Sequence, residues 1–234
     1  MDGRWSRWLV GAGVASVLAA GAGRPSAMEG VASPVADAVV LPRPDLEGGM
    51  SVERALAERR SVRTLADAPI PRASLSRLVW AAQGVTDDKG HRTTPSGRAT
   101  YPLDVYAVVG NVTDVAPGIY RYDPVGHALL PRQAGDRRQA FVTEAVGQSW
   151  IEKAAVILVV TGTPERARAK MGDRVAVYTP LEAGLASQNV LLEVVSLGLG
   201  ATFVGGFDPA KAAAFLQLAP GENAYAVLPV GVRQ

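Results

Sequence analysis

Seven consecutive residues, Ala154 to Val160, carry no polar side chain. Such a run has no face to offer water, so it predicts a strand buried on both sides. Leu103 to Val109, Ala201 to Val204 and Tyr225 to Val232 read as further strands. Gly118 to Asp123 and His127 to Leu130 form a hairpin pattern around Pro124-Val125-Gly126. Ser51 caps a helix running to about Arg60. Leu75, Leu78, Val79 and Ala82 recur at helical spacing before Gly84. Further helices are expected near 136–146, over 181–197, and from Asp208-Pro209 to about Leu218. Leu181, Leu185, Leu192, Val195 and Leu199 would mark the buried stripe around the longest one. Helices and strands alternate irregularly around a hairpin, which favours an α+β fold over a doubly wound sheet.

Composition narrows the chemistry. At 48% hydrophobic residues the chain can bury a substantial core. A formal net charge of +2, with no block of Lys and Arg, excludes nucleic acid as a natural partner. There is no cysteine, so disulfides, thiolate metal sites and cysteine nucleophiles are excluded. His91 and His127 are the only histidines, too few for a histidine-rich metal centre. The first 22 residues read as a signal peptide: Arg4 and Arg7, an uncharged run of 15 residues from Trp8 to Ala22, and Ala20-Gly21-Ala22 as a cleavage site. That run falls short of the ~20 residues a membrane span needs, so no stable anchor is expected. The reading implies export to the periplasm. A start at Met28 or Met50 would instead leave the protein in the cytoplasm. Residues 23–49 read as a linker or extended arm, and 50–234 as the functional domain.

No dinucleotide fingerprint, phosphate-binding loop or nucleophile elbow follows the leader. Four segments remain. Arg59, Arg60, Ser61 and Arg63 offer guanidinium forks and a hydroxyl at a helix end, suited to a phosphate or equally to a solvated helix end. Pro95, Ser96 and Gly97 lie in a polar loop that exposes backbone donors and acceptors, as a surface turn also would. Glu182 and Asn189 stand seven apart on one helix face and need partners if buried. Val204, Gly205 and Gly206 follow a strand, where glycines let backbone approach a ligand or simply turn the chain.

In this order, the segments resemble the SagB-type branch of the nitroreductase superfamily. The likeness rests on Arg-Ser-Val-Arg at 60–63, Pro-Ser-Gly leading into Tyr-Pro-Leu-Asp-Val-Tyr, Gly-Ile-Tyr-Arg-Tyr-Asp-Pro, Leu-Glu-Ala-Gly…Gln-Asn, Gly-Leu-Gly and Val-Gly-Gly-Phe-Asp. It covers about residues 50–234. It implies a nitroreductase-like fold with a mostly antiparallel central sheet flanked by helices, and a homodimer binding FMN between its subunits. In this resemblance Arg59, Arg60, Ser61 and Arg63 hold the phosphate and the polar ring edge. Pro95, Ser96 and Gly97 come from the partner, Glu182 faces the flavin, and Val204, Gly205 and Gly206 lie beside the ring. The implied activity is hydride exchange between flavin and a small organic substrate, with NAD(P)H as the usual reductant. SagB-type azoline dehydrogenases carry a Lys-Tyr pair; this chain has Lys170-Met171, which leaves Lys170 as the catalytic candidate. Azoline oxidation on a modified peptide, and flavin binding without turnover, are the two alternatives.

Overall fold

The computed structural model describes residues 37–47 and 49–234. The leader expected over 1–22, and most of the arm that follows it, lie outside the described residues. The arm's end joins the fold. Val39–Val40 forms β1, paired to a later strand, and Leu41 behind it is buried. In chain order come α1 (Val52–Glu58), β2 (Leu65–Ala66), α2 (Arg72–Gln83) and β3 (Leu103–Val109). Then follow β4 (Gly118–Asp123), β5 (Ala128–Ala134), α3 (Arg138–Phe141) and β6 (Val156–Gly162). The last elements are α4 (Glu165–Met171), α5 (Val175–Ser196), β7 (Leu199–Ala201), α6 (Pro209–Leu216) and β8 (Asn223–Arg233).

The strands form one sheet in the order β1-β5-β4-β3-β6-β8-β2, with β7 also on β8. Every strand pairing is antiparallel. The apolar run predicted to be doubly buried is β6, enclosed between β3 and β8. Strand alternation sends Val156, Leu158 and Val160 into one core and Ile157 and Val159 into the other. The first core is closed by Leu75, Leu78 and Val79 of α2 and by Ala183, Ala186 and Val190 of α5. The second is closed by Phe141, Val142 and Ile151, and by Ala212 and Leu216 of α6. Each fully buried leucine here contributes about 1.5–3 kcal/mol.

The structure corrects four expectations. α5 begins at Val175 and runs through Pro180, although a proline marks a boundary by rule. Its buried face keeps only part of the expected stripe: Val195 and Leu199 are buried, but Leu181 is 58% and Leu185 48% exposed. Ala183, Ala186 and Ser187 face inward instead, because small side chains let the helix lie close against the sheet. Residues 138–146 form a short helix that widens into a π turn over Val142–Val146. The strand expected over 201–204 is displaced to Leu199–Ala201, with Val204 adding a single bridge to Val227. Gly198, at φ 69°, makes the left-handed turn between α5 and β7.

Candidate functional site

The arginine segment leaves α1 in extended backbone, with Arg59 as C-cap. Ser51 anchors the other end of α1 by accepting the Arg54 amide at 3.3 Å. Arg60 is spent locally: its guanidinium donates to the carbonyls of Ala57 (2.9 Å) and Arg59 (2.8 Å), which the helix end leaves open. Val62 stitches the segment to β7: its amide donates to the Ala201 carbonyl at 2.9 Å, and Thr202 Oγ1 donates to its carbonyl at 2.8 Å. Gly200 permits this approach, since a Cβ there would sit 2.8 Å from Val62. Arg59 is half-buried, and Ser61 and Arg63 are exposed. Among the described residues no carboxylate pairs with Arg59, Arg60 or Arg63. Arg63 lines a cavity of about 540 Å³ with Ser149, Trp150, Lys153 and Gln234. Sequence reasoning missed Lys153 and Trp150, and no local pattern could have flagged them.

Val204 exchanges hydrogen bonds with Val227 at 2.9 and 3.1 Å, which fixes where Gly205 and Gly206 leave the sheet. Both glycines are exposed. A Cβ on Gly206 would meet nothing within 4 Å, and one on Gly205 only the Phe203 ring at 3.3 Å. The turn therefore faces open space, so its glycines are not needed for packing. The arginine segment and this glycine turn flank β7 in one chain.

The Pro-Ser-Gly loop is built differently. Glu182, only 5% exposed, accepts the Gly97 amide at 2.7 Å. Asn189, two turns on, donates to the Thr93 carbonyl (3.2 Å) and Thr94 Oγ1 (3.1 Å). The polar pair read on one face of α5 thus finds its partners in this loop. Ser96 Oγ accepts the Tyr101 amide at 2.9 Å, and Thr100 Oγ1 donates to the Gly97 carbonyl at 2.9 Å. Lys170, exposed on α4, donates to the Arg98 carbonyl at 3.4 Å. Met171 covers Gly97 so closely that a Cβ would sit 2.6 Å from its methyl carbon. Arg98 (φ 52°), Ala99 (φ 53°) and Tyr101 (φ 45°) are all left-handed, each at a cost of about 1–2 kcal/mol. Nothing in the local sequence announces that strain.

These two groups lie at opposite ends of the strands, the arginines at the sheet's β2 edge and the loop at the start of the central strand β3. The arginines lead into β2, where Leu65 pairs with Arg233; the loop leads into β3, where Leu103 pairs with Gly162. Through Val230–Val156, the strand register separates the two by about 30 Å along the strands. One chain cannot close both on a single small ligand. Its surface does carry exposed apolar side chains, Val52 and Leu56 on α1 and Val177, Leu181 and Leu185 on α5.

A second polar cluster is self-contained. Asp104 receives Arg121 at 2.7 Å and Arg166 at 2.6 Å. Glu222 accepts hydrogen bonds from Thr161 and Tyr106. Burial, with Glu222 and Asp104 nearby, pushes the Tyr106 phenol up to about 12, so it stays protonated.

Comparison with known proteins gives one answer. Residues 56–232 match the model of the nitroreductase family. A Methanocaldococcus jannaschii protein bearing the nitroreductase name is 37% identical over 171 residues, 73% of this chain and 86% of that protein. A Ralstonia eutropha JMP134 crystal structure bearing the same name has a TM-score of 0.75 at 30% identity, covering 86% of this chain and 91% of its own. The NADPH:FMN oxidoreductase of Vibrio harveyi in complex with NAD+ has a TM-score of 0.57 at 18% identity, covering 78% and 69%, a likeness of fold alone.

Proposed function

This chain belongs to the nitroreductase family of oxidoreductases, and from that premise we propose that it is an FMN-dependent enzyme acting on a small organic substrate as a homodimer. The observation that carries the reading is the arginine corner. Arg59, Ser61 and Arg63 present cations and a hydroxyl with no protein anion among the described residues, pinned by Val62 beside an open glycine turn. That donor set fits a phosphate, and the exposed turn at Gly205 and Gly206, whose Gly206 carbonyl accepts from Gln148 at 3.2 Å, fits a flat ring. In the proposed site Arg59, Ser61 and Arg63 bind the phosphate and the polar ring edge. Arg60 acts indirectly, by capping α1. Pro95, Ser96 and Gly97, with Glu182 behind them, serve the site of the other subunit. Two copies joined through Leu181 and Leu185 would bring the two groups together.

Bound FMN supplies the two-electron chemistry, exchanging hydride with the substrate. The protein's residues bind, orient and keep water off the ring, and NAD(P)H is the proposed donor. Met171 cannot move a proton, and it packs on Gly97 where the SagB-type pair has its phenol. We therefore read Lys170 as part of the loop's scaffold, in an enzyme of that branch that does not oxidise azolines. With a leader over residues 1–22, the proposal extends to an exported flavoprotein.

The test is an absorbance spectrum of the purified protein, then anaerobic titration with NADPH or dithionite and reoxidation by a nitroaromatic or a quinone. A yellow protein that cycles is expected. Colourless protein that refuses added FMN would overturn the cofactor reading. Bound FMN that no donor reduces would overturn the enzyme reading.

A further inference from the structure

The geometry points to Glu182 as a positioning residue: by accepting the Gly97 amide, its carboxylate holds the Ser96–Tyr101 loop in the strained shape that meets the flavin ring. This deepens the FMN reading and rests on it. Three left-handed non-glycine residues in four positions would relax in an isolated loop, so other contacts must hold them. Ser96 ties the loop only to itself, Thr100 also reaches the Met171 sulfur at 4.0 Å, and the Arg92 guanidinium lies 5.3 Å over the Tyr101 ring. Lys170 reaches it from an exposed side chain at 3.4 Å. Met171 adds packing but no direction. Glu182 is the buried, charged contact, fixed in the middle of the longest described helix and reaching Gly97 at 2.7 Å. A hydrogen bond from an amide to a carboxylate is about twice as strong as a neutral one.

Its neighbours add a second consequence. Leu181 lies beside it and Leu185 one turn on from Leu181, both exposed apolar side chains. Glu182 therefore links the face that would receive a second copy to the loop that would serve that copy's ring. Seating the subunit and aligning the loop become one event.

A carboxylate could act by reach or by charge, and two conservative variants separate these. Glu182→Asp keeps the charge but is one methylene too short. Glu182→Gln keeps the reach with a neutral oxygen. In the full chain as purified, trypsin cleavage after Arg98 is followed by mass spectrometry of the fragment beginning at Ala99. Dissociation constants for FMN and riboflavin are measured by fluorescence quenching. The positioning role predicts that the Asp variant is cleaved about tenfold faster and binds both flavins about tenfold more weakly, with the Gln variant within about threefold of the parent. Equal loss for both flavins places the effect at the ring, not the phosphate. An Asp variant unchanged in cleavage and affinity overturns the proposal. So does faster cleavage with unchanged affinity, or a harmless Asp beside a harmful Gln. A parent chain that binds neither flavin defeats the functional reading instead, and the cleavage rates still decide whether Glu182 holds the loop.

Discussion

At the sheet's β2 edge, the first corner, Arg59 and Arg63 stand without a protein counter-ion among the described residues, whereas at the β3 end, the second, Thr93, Thr94, Ser96, Gly97 and Thr100 each have a hydrogen-bond partner. The first corner is charged and unpaired in ordinary extended backbone. The second carries exposed Arg98 and Lys170 too, but it is strained and braced from α4 and α5. The contrast teaches a division of labour. Charge can be left to find its ligand, because a phosphate attracts guanidinium groups over several ångströms and tolerates adjustment. A ring edge is read by backbone groups that must already be in place, so that corner is held by buried contacts.

The severest way to break this comparison is to part the two corners. Leu181→Asp combined with Leu185→Asp places charges on the face where a second copy would seat. We expect monomers in analytical ultracentrifugation and FMN affinity reduced at least about a hundredfold, the scale of leaving unpaired charge at an interface. A monomer that still binds FMN at full strength would show that one corner suffices. Next in size, Arg59→Ala probes the charged corner alone. FMN binding should weaken by roughly 1.5–3 kcal/mol while riboflavin binding changes little, because only FMN carries the phosphate. Titration of both flavins checks this; equal weakening would move Arg59 away from the phosphate.

The smallest effect is expected far from both corners. His127 takes the Tyr122 hydroxyl on one ring nitrogen and faces the Pro42 carbonyl with the other, fastening the arm to the sheet. Burial holds its pKa below the ordinary 6.5, with the Arg43 charge adding to this and the Pro42 bond opposing it. The unfolded chain therefore takes up the proton first. The stabilisation is present above 6.5 and is lost as pH falls through that value toward the folded pKa. For this half-exposed ring the loss stays below about 1 kcal/mol after solvent screening. Urea melts across that range should show it in the parent and not in His127→Gln, with FMN affinity moving in neither. A pH-independent parent would remove the latch.

What could be read from residue order follows the range of the forces involved. β6 was legible because a strand with two buried faces needs an unbroken apolar run, and Ala154–Val160 provides one. Glu182 and Asn189 were legible as a pair in need of partners, and the loop supplies them. The leucines of α5 misled because hydrophobicity alone does not say which apolar surface is covered. Close packing on the sheet selected Ala183 and Ala186 over Leu181 and Leu185. Lys153 reaches Arg63's cavity through tertiary folding, and the left-handed turn at Arg98–Tyr101 is imposed by braces from two helices. Neither leaves a trace in local pattern.

β1 carries a consequence for the molecule's solubility. A sheet that stopped at β5 would end in seven residues of unpaired backbone, a template on which other chains could add. Val39–Val40 covers one end of that border, opposite Ala128 and Leu129, with a strand too short to seed further growth. Pro42 and Pro44, just beyond, have no amide hydrogen to extend it. The same few residues that fasten the arm also finish the fabric at that end of β5.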